Sequence, residues 1–135
     1  EIAGEDNHFK VIQLPFNLAM IEALTQKTQR LNDNMVPLLQ AAVELDITVI
    51  SSASILQGRL ARGLSQELKN ALKGLSTDTR RAIQFTRSAP GITTALVGMK
   101  NVSHVEENMQ TASTPPISID EFVELFTDPK NGSRG

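Results

Sequence analysis

The segment Ala95-Leu96-Val97-Gly98-Met99-Lys100-Asn101, followed by Val102-Ser103-His104-Val105-Glu106-Glu107-Asn108, decides the fold class of this chain. Its first part is typical of a buried strand that ends in glycine, and its second part predicts a helix. The N-terminus of a helix carries unpaired backbone N–H groups and a partial positive charge, so Lys100 beside it favours binding of a phosphate. The segment therefore predicts a strand, a turn and a helix with an anion site between them.

Two further strands are predicted upstream, over residues 9–16 and 47–52, and the third strand covers residues 92–97. The first two runs are short, apolar and β-branched, which suits a buried parallel sheet. Helical spacing of apolar residues predicts helices over 34–45, 65–73, 78–88, 102–111 and 119–126. Strands that alternate with helices predict an α/β fold with parallel strands and right-handed crossovers. The long connection 17–33 is expected to be partly helical around residues 19–24.

Capping residues set the expected starts of these helices. Asp33 or Asn34 is expected to cap the first confident helix, and Ser76 or Thr77 the helix over 78–88. The helix that starts near residue 102 has two candidates, Asn101 and a capping box of Ser103 with Glu106. Ser118 and Glu121 form a clearer capping box for the last helix. The aromatic residues Phe85, Phe122 and Phe126 are expected to pack in or against the core.

The composition of the 135 residues predicts one ordinary globular domain, residues 1–135, that is too short for the roughly 250 residues of a complete (β/α)₈ barrel. The net charge of −2 argues against nucleic acid as a partner. Cysteine is absent and there are only two histidines, so no metal site is predicted. No apolar run is long enough for a membrane helix, and a cytoplasmic location is expected.

Three motifs of the sequence resemble the sixth, seventh and eighth strands of the NADPH-dependent aldo-keto reductases. They are Val-Ile-Gln-Leu-Pro-Phe-Asn17, Ile-Thr-Val-Ile-Ser-Ser-Ala-Ser-Ile-Leu-Gln-Gly58 and Gly-Ile-Thr-Thr-Ala-Leu-Val-Gly-Met-Lys100. The resemblance covers residues 9–126, and residues 1–7 resemble the tail of the helix before strand six. It implies the C-terminal half of a partial (β/α)₈ TIM barrel, with three parallel βα units and a C-terminal helix at about 119–126.

The resemblance also implies an NADP(H) site. In the family, the positions of Gly98, Lys100, His104, Glu107 and Asn108 hold the adenosine 2′-phosphate and the adenine. Gln13 matches a residue that binds the nicotinamide carboxamide, and Ser52 stands where the family usually has an aromatic ring. The loop that matches the pyrophosphate contact contains Ala53, Ile55, Gln57, Gly58 and Arg59. The alternatives are an ordinary solvated helix face over residues 100–108 and a polar core residue at position 13.

The chemistry of the family uses a tyrosine, a lysine, a histidine and an aspartate from the first half of the barrel. The sequence has no tyrosine, so no catalytic residue is assigned to it. The leading hypothesis is a truncated aldo-keto reductase that carries the NADP-binding half of an oxidoreductase site and is inactive alone. The alternative is a nucleotide-binding or structural oligomerisation module on a half-barrel. Open sheet edges predict a homo-oligomer, or pairing with a complementary N-terminal half-barrel.

Overall fold

The structure, a computed structural model, describes residues 7–127. The helix tail predicted for residues 1–7 lies outside the described residues except for its last residue, Asn7. The strands are β1 (Val11–Pro15), β2 (Lys27–Leu31), β3 (Asn34–Pro37), β4 (Thr48–Ser52) and β5 (Thr94–Ala95). The helices are α1 (Glu22–Thr25), α2 (Leu38–Glu44), α3 (Gln66–Ala71), α4 (Asp78–Ser88), α5 (Val102–Ala112) and α6 (Ile119–Thr127), and a 3₁₀ segment spans Leu56–Ala61.

The central sheet has the order β1-β4-β5, and both neighbouring pairs are parallel. The α/β architecture with three parallel strands, predicted from the sequence, is therefore confirmed. The third strand is much shorter than the predicted 92–97, because only Thr94 and Ala95 pair with β4. Beyond them the chain turns outward, and the Leu96 N–H still donates to Ser51 O at 2.8 Å.

The two faces of the sheet have different environments. Along β1, Ile12 and Leu14 pack against the core, whereas Val11, Gln13 and Pro15 on the opposite face are exposed. This alternation follows from the twofold period of side chains along a strand. Helices thus cover one face of the sheet in the part of the chain that the structure describes, and the other face is open at β1.

The segment after β1 differs from the sequence prediction. Residues 27–37 form an antiparallel hairpin, β2 with β3, where a loop and the start of a helix were predicted. Its turn is Asn32-Asp33, and both residues have positive φ angles, 46° and 66°. Asparagine and aspartate tolerate this left-handed conformation, which a two-residue hairpin turn of this kind requires. The prediction of a helix over 34–45 was therefore wrong at its N-terminal end.

Helix α2 begins at Leu38, and its N-cap is Pro37, which makes no side-chain cap bond. Asp33 or Asn34 as the cap was consequently wrong. The other caps agree better with the sequence. Thr77 Oγ1 accepts from the Arg80 N–H at 3.2 Å, and the Ser118 N–H donates to Glu121 Oε2 at 2.9 Å. The capping box that the sequence predicted for α6 is present.

Aromatic rings join the sheet to the helices on the covered face. Phe16 follows β1 and stacks on Phe85 of α4, with ring centroids 5.8 Å apart. Phe85 also contacts Phe122 of α6 at 5.0 Å, and all three side chains are at most 2% exposed. Phe126 touches Phe85 at 6.1 Å but stays 39% exposed. Burial of large apolar side chains is the main favourable term of folding, so these rings hold α4 and α6 on the sheet.

No helix within residues 7–127 is long and apolar enough to cross a membrane.

Candidate functional site

The carboxyl ends of the three parallel strands meet at one edge of the sheet. Pro15 of β1 pairs with Ser52 of β4, and Ser51 pairs with Ala95 of β5. Sites of α/β proteins lie at this edge, because the loops that leave adjacent parallel strands come together there. Among the predicted site residues, Ser52 is the last residue of β4. The other predicted site residues at this edge of the sheet lie in the two loops that follow β4 and β5.

Hydrogen bonds from buried polar side chains tie these loops together. Asn17 is fully buried, and its Nδ2 donates to Ala53 O at 2.9 Å. Ser54 is 1% exposed, and its Oγ donates to Leu96 O at 2.9 Å. Buried polar groups with partners of this kind fix the chain locally. The loop after β4 and the loop after β5 are therefore held side by side at the edge.

The loop after β4 folds back sharply on itself. Ala53, Leu56, Gln57 and Gly58 all have positive φ angles, between 47° and 83°. A left-handed conformation costs about 1–2 kcal/mol at a residue other than glycine, so three of these four positions are strained. No side-chain or backbone atom lies within 4 Å of the Cβ that Gly58 lacks. The loop thus presents an open, preformed backbone at the position where the family resemblance implies a pyrophosphate contact.

The N-terminus of α5 is free of side-chain caps. Asn101 is its N-cap residue, yet the side chain of Asn101 makes no cap hydrogen bond, and no acidic residue stands in the first turn. Asn101 O accepts from the His104 N–H at 3.0 Å and the Val105 N–H at 3.3 Å. Gly98 and Lys100 lead into this terminus and are both exposed. The N–H groups of Val102 and Ser103, which take no part in these two bonds, and the exposed Lys100 therefore lie at the same end of α5, an arrangement that favours an anion.

The middle of α5 packs on α4 through polar side chains. The Thr77 hydroxyl donates to Glu107 Oε1 at 2.5 Å, and Thr111 is fully buried. The Oδ1 atom of Asn108 is buried without a hydrogen-bond partner. His104 is exposed. Glu107 is the residue that the resemblance assigns to the adenine. One of its carboxylate oxygens accepts a hydrogen bond in the contact between α4 and α5.

Three further side chains of α4 bind backbone carbonyls at the C-terminal end of α5 and just beyond it. Arg80 Nη2 donates to Gln110 O at 3.3 Å, and Gln84 Nε2 donates to Pro115 O at 2.6 Å. Arg87 donates to Thr114 O, and burial lowers the pKa of its guanidinium. Carbonyl groups at a helix C-terminus need such donors. The sequence analysis missed this contact, although residues 80, 84 and 87 have the spacing of one helix face.

Gln13 and Ser52 lie on the open side of the sheet. Gln13 is exposed on β1 beside Ile50 of β4, its register partner. The alternative interpretation, a polar residue of the barrel core, stays a prediction, because the sheet face that carries Gln13 is open in this chain. Ser52 is half-buried at the end of β4.

Two cavities lie away from the candidate site. One, of about 360 Å³, is lined by Leu24, Pro37, Leu39, Gln40, Val43, Glu44 and Pro90. Another, of about 510 Å³, is lined by Asn70, Ala71, Lys73, Ile117, Glu121, Glu124 and Leu125. Neither includes a predicted site residue. The candidate site is an open surface at the edge of the sheet.

Comparison with solved structures shows that the fold is similar to part of the fold of a solved aldo-keto reductase. The holo form of aldo-keto reductase AKR11C1 from Bacillus halodurans matches with a TM-score of 0.60 and 14% identity, over 89% of this chain and 42% of that chain. The apo form of the same protein matches over 85% of this chain and 41% of that chain. The chain thus spans about two fifths of the length of the solved reductase.

No protein-family model and no curated protein matches the sequence. The match to the solved structures confirms, at the level of the fold, the resemblance that the sequence motifs indicate.

Proposed function

We propose that this chain binds the adenosine phosphate end of NADP(H) and supplies the cofactor-binding part of an oxidoreductase site of the aldo-keto reductase type. The observation that carries the proposal is the uncapped N-terminus of α5 with Lys100 beside it. A phosphate there receives backbone N–H bonds and a lysine charge at once. The matched solved structure is a holo form, which is compatible with a cofactor on this fold.

The residues present fit the phosphate groups of the cofactor best. No atom lies within 4 Å of the Cβ position of Gly98, so a ligand has room to approach the backbone there. The loop over Ala53–Gly58 lies beside this site, because Ser54 bonds to Leu96 O. In our proposal Lys100 binds the 2′-phosphate, and Gly58 permits approach of the pyrophosphate.

The nicotinamide end has fewer candidate groups. Gln13 offers an amide on the open face of β1. Ser52 offers a hydroxyl at the position where the family usually has an aromatic ring. We assign no catalytic residue, because the sequence holds no tyrosine to protonate a carbonyl oxygen. When bound, the cofactor supplies hydride. In our proposal the 135 residues bind it and reduce no carbonyl by themselves.

Titration with NADPH, followed by its fluorescence, tests the proposal. Loss of a charged hydrogen bond costs about 1.5–3 kcal/mol, so Lys100→Ala is expected to weaken NADPH binding about 10- to 150-fold. Lys73→Ala is the matched control, because it removes the same charge from an exposed position outside the site. The affinity of this variant for NADPH should stay within twofold of the unsubstituted protein. NADH, which lacks the 2′-phosphate, should be insensitive to Lys100→Ala.

The alternative function is a structural module that oligomerises without a nucleotide. It is favoured by the contact between Thr77 and Glu107, which uses an oxygen that the purine would need. Absence of saturable NADPH binding up to millimolar concentration supports this alternative and refutes the cofactor site.

A further inference from the structure

Ser54 joins the loop after β4 to the chain that leaves β5. Its side chain is 1% exposed, and its Oγ donates to Leu96 O at 2.9 Å. The Leu96 N–H donates to Ser51 O at 2.8 Å, so both backbone polar groups of Leu96 are bound by β4 and the loop that follows it. Leu96 lies two residues before Gly98 and four before Lys100. These two bonds therefore fix the point from which the candidate phosphate-binding residues leave the sheet.

The position of Ser54 is fixed in turn by the contacts of Ala53, the residue before it. Ala53 has a positive φ of 55°, a conformation that costs free energy at a residue other than glycine. Its carbonyl oxygen accepts from Asn17 Nδ2 at 2.9 Å and from the Leu56 N–H at 2.7 Å. Asn17 is fully buried, and its Oδ1 accepts from the Ala19 N–H at 2.8 Å. The loops after β1, β4 and β5 are thus joined through two adjacent residues, 53 and 54.

We infer that Ser54 is a positioning residue of the proposed cofactor site. Its hydroxyl holds the loop that carries Gly58 and the segment that carries Lys100 in one arrangement. Because its side chain is 1% exposed, Ser54 acts through these two segments and not by contact with the cofactor. Binding groups that are held in place before the ligand arrives lose less conformational entropy on binding, which raises the affinity. The inference rests on the proposed function, because it concerns the affinity of that same site for NADPH.

Another buried serine offers a matched control. Ser51 is fully buried, and its Oγ also donates to a backbone carbonyl at 2.9 Å, that of Phe16. This bond joins β4 to the residue after β1, and the Ser51 carbonyl that binds Leu96 is kept in an alanine variant. Ser51→Ala and Ser54→Ala therefore remove the same group from the same kind of buried bond. Both are expected to lower the midpoint of urea unfolding by a similar amount.

Fluorescence titration of the 135-residue chain with NADPH tests the inference. Ser54→Ala is expected to weaken NADPH binding about three- to tenfold, and Ser51→Ala should keep the affinity within about twofold. Equal affinities of the unsubstituted protein and Ser54→Ala, or equal losses in the two variants, would overturn the inference and leave the cofactor site standing. Absence of saturable binding by the unsubstituted protein would refute the proposed function, and the inference with it.

Hydrogen exchange of the Leu96 amide gives a second readout that needs no cofactor. This amide is bound to Ser51 O and exchanges when the chain after β5 opens locally. Ser54→Ala should speed its exchange about three- to tenfold, and Ser51→Ala should leave it unchanged. Unchanged exchange in Ser54→Ala would overturn the inference, because any loss of affinity would then have a cause other than release of Leu96. Circular dichroism of both variants checks that each remains folded.

Discussion

A hydrogen bond between Thr77 and Glu107 links α4 to α5, and Thr77→Val tests its contribution to stability. Valine keeps the β-branched shape of threonine but removes the hydroxyl, so the change leaves no large cavity. The lost hydroxyl serves two purposes. It accepts from the Arg80 N–H at 3.2 Å as the N-cap of α4, and it donates to Glu107 Oε1 at 2.5 Å.

The expected magnitude follows from these two bonds. Loss of an N-cap costs about 1 kcal/mol, and loss of a hydrogen bond to a charged group costs about 1.5–3 kcal/mol. Both bonds share one hydroxyl in a partly buried place, so the sum is not strictly additive. We expect Thr77→Val to lower the free energy of unfolding by about 2–4 kcal/mol. That is a large part of the roughly 5–15 kcal/mol that stabilises a typical domain.

Urea unfolding followed by far-ultraviolet circular dichroism measures this loss as a shift of the midpoint at constant slope. Thr77→Ser is the matched control, because it keeps the hydroxyl and should cost less than about 1 kcal/mol. A double-mutant cycle with Glu107→Ala, which removes the acceptor oxygen, isolates the bond between the two side chains. A loss below about 0.5 kcal/mol in Thr77→Val, or a cycle with no coupling, would refute the packing role of Glu107.

Two further predictions concern the scaffold. Gly91→Ala should lower the free energy of unfolding, measured in urea, by about 2–4 kcal/mol, because φ is +89° and the new Cβ would lie 2.9 Å from Leu39 O. Gly98→Ala is the control and should have little effect, because Gly98 has open space around it and no positive φ. Equal losses of stability in the two variants would contradict this reasoning. The Ser118 N–H and, to a smaller extent, its hydroxyl lower the pKa of Glu121 from its ordinary 4.5, so the stabilising effect of Glu121 is present above pH 4.5 and is lost as the pH falls through the folded pKa. Ser118→Ala removes only the hydroxyl and should raise that pKa part of the way in an NMR titration, and an unchanged value would exclude the hydroxyl as a cause.

The regular units of this chain could be predicted from the sequence because their signals are local. The apolar runs around β1 and β4 and the caps at Thr77 and Ser118 depend on a few neighbouring residues. The hairpin of β2 and β3 was missed although its Asn32-Asp33 turn is also local. Residues 35, 38 and 39 have helical spacing, and this pattern competed with the turn signal in the sequence. In the structure the extended backbone of Pro37 separates β3 from α2.

The candidate site was only partly predictable, because only some of its signals lie within a short stretch of sequence. A glycine and a lysine before a helix N-terminus are a local pattern, and the structure exposes both Gly98 and Lys100 there. The engagement of Glu107 by Thr77 joins residues 30 positions apart. The hydrogen bond from Ser54 to Leu96 O joins residues 42 positions apart. Such pairs are set by the packing of elements against each other, which no short window of sequence records.

The sequence alone predicted the three parallel strands, the α/β class and the helices over 78–88, 102–111 and 119–126, because periodicity and capping act over one or two turns of chain. Tertiary structure alone decided which side of α5 is buried. Thr77, Arg80 and Gln84 of α4 bind its polar side and the chain just beyond it, so the apolar stripe at Val102, Val105 and Met109 faces solvent. The face that a helix buries is determined by the groups its neighbours present to it, and only the folded chain brings those groups together.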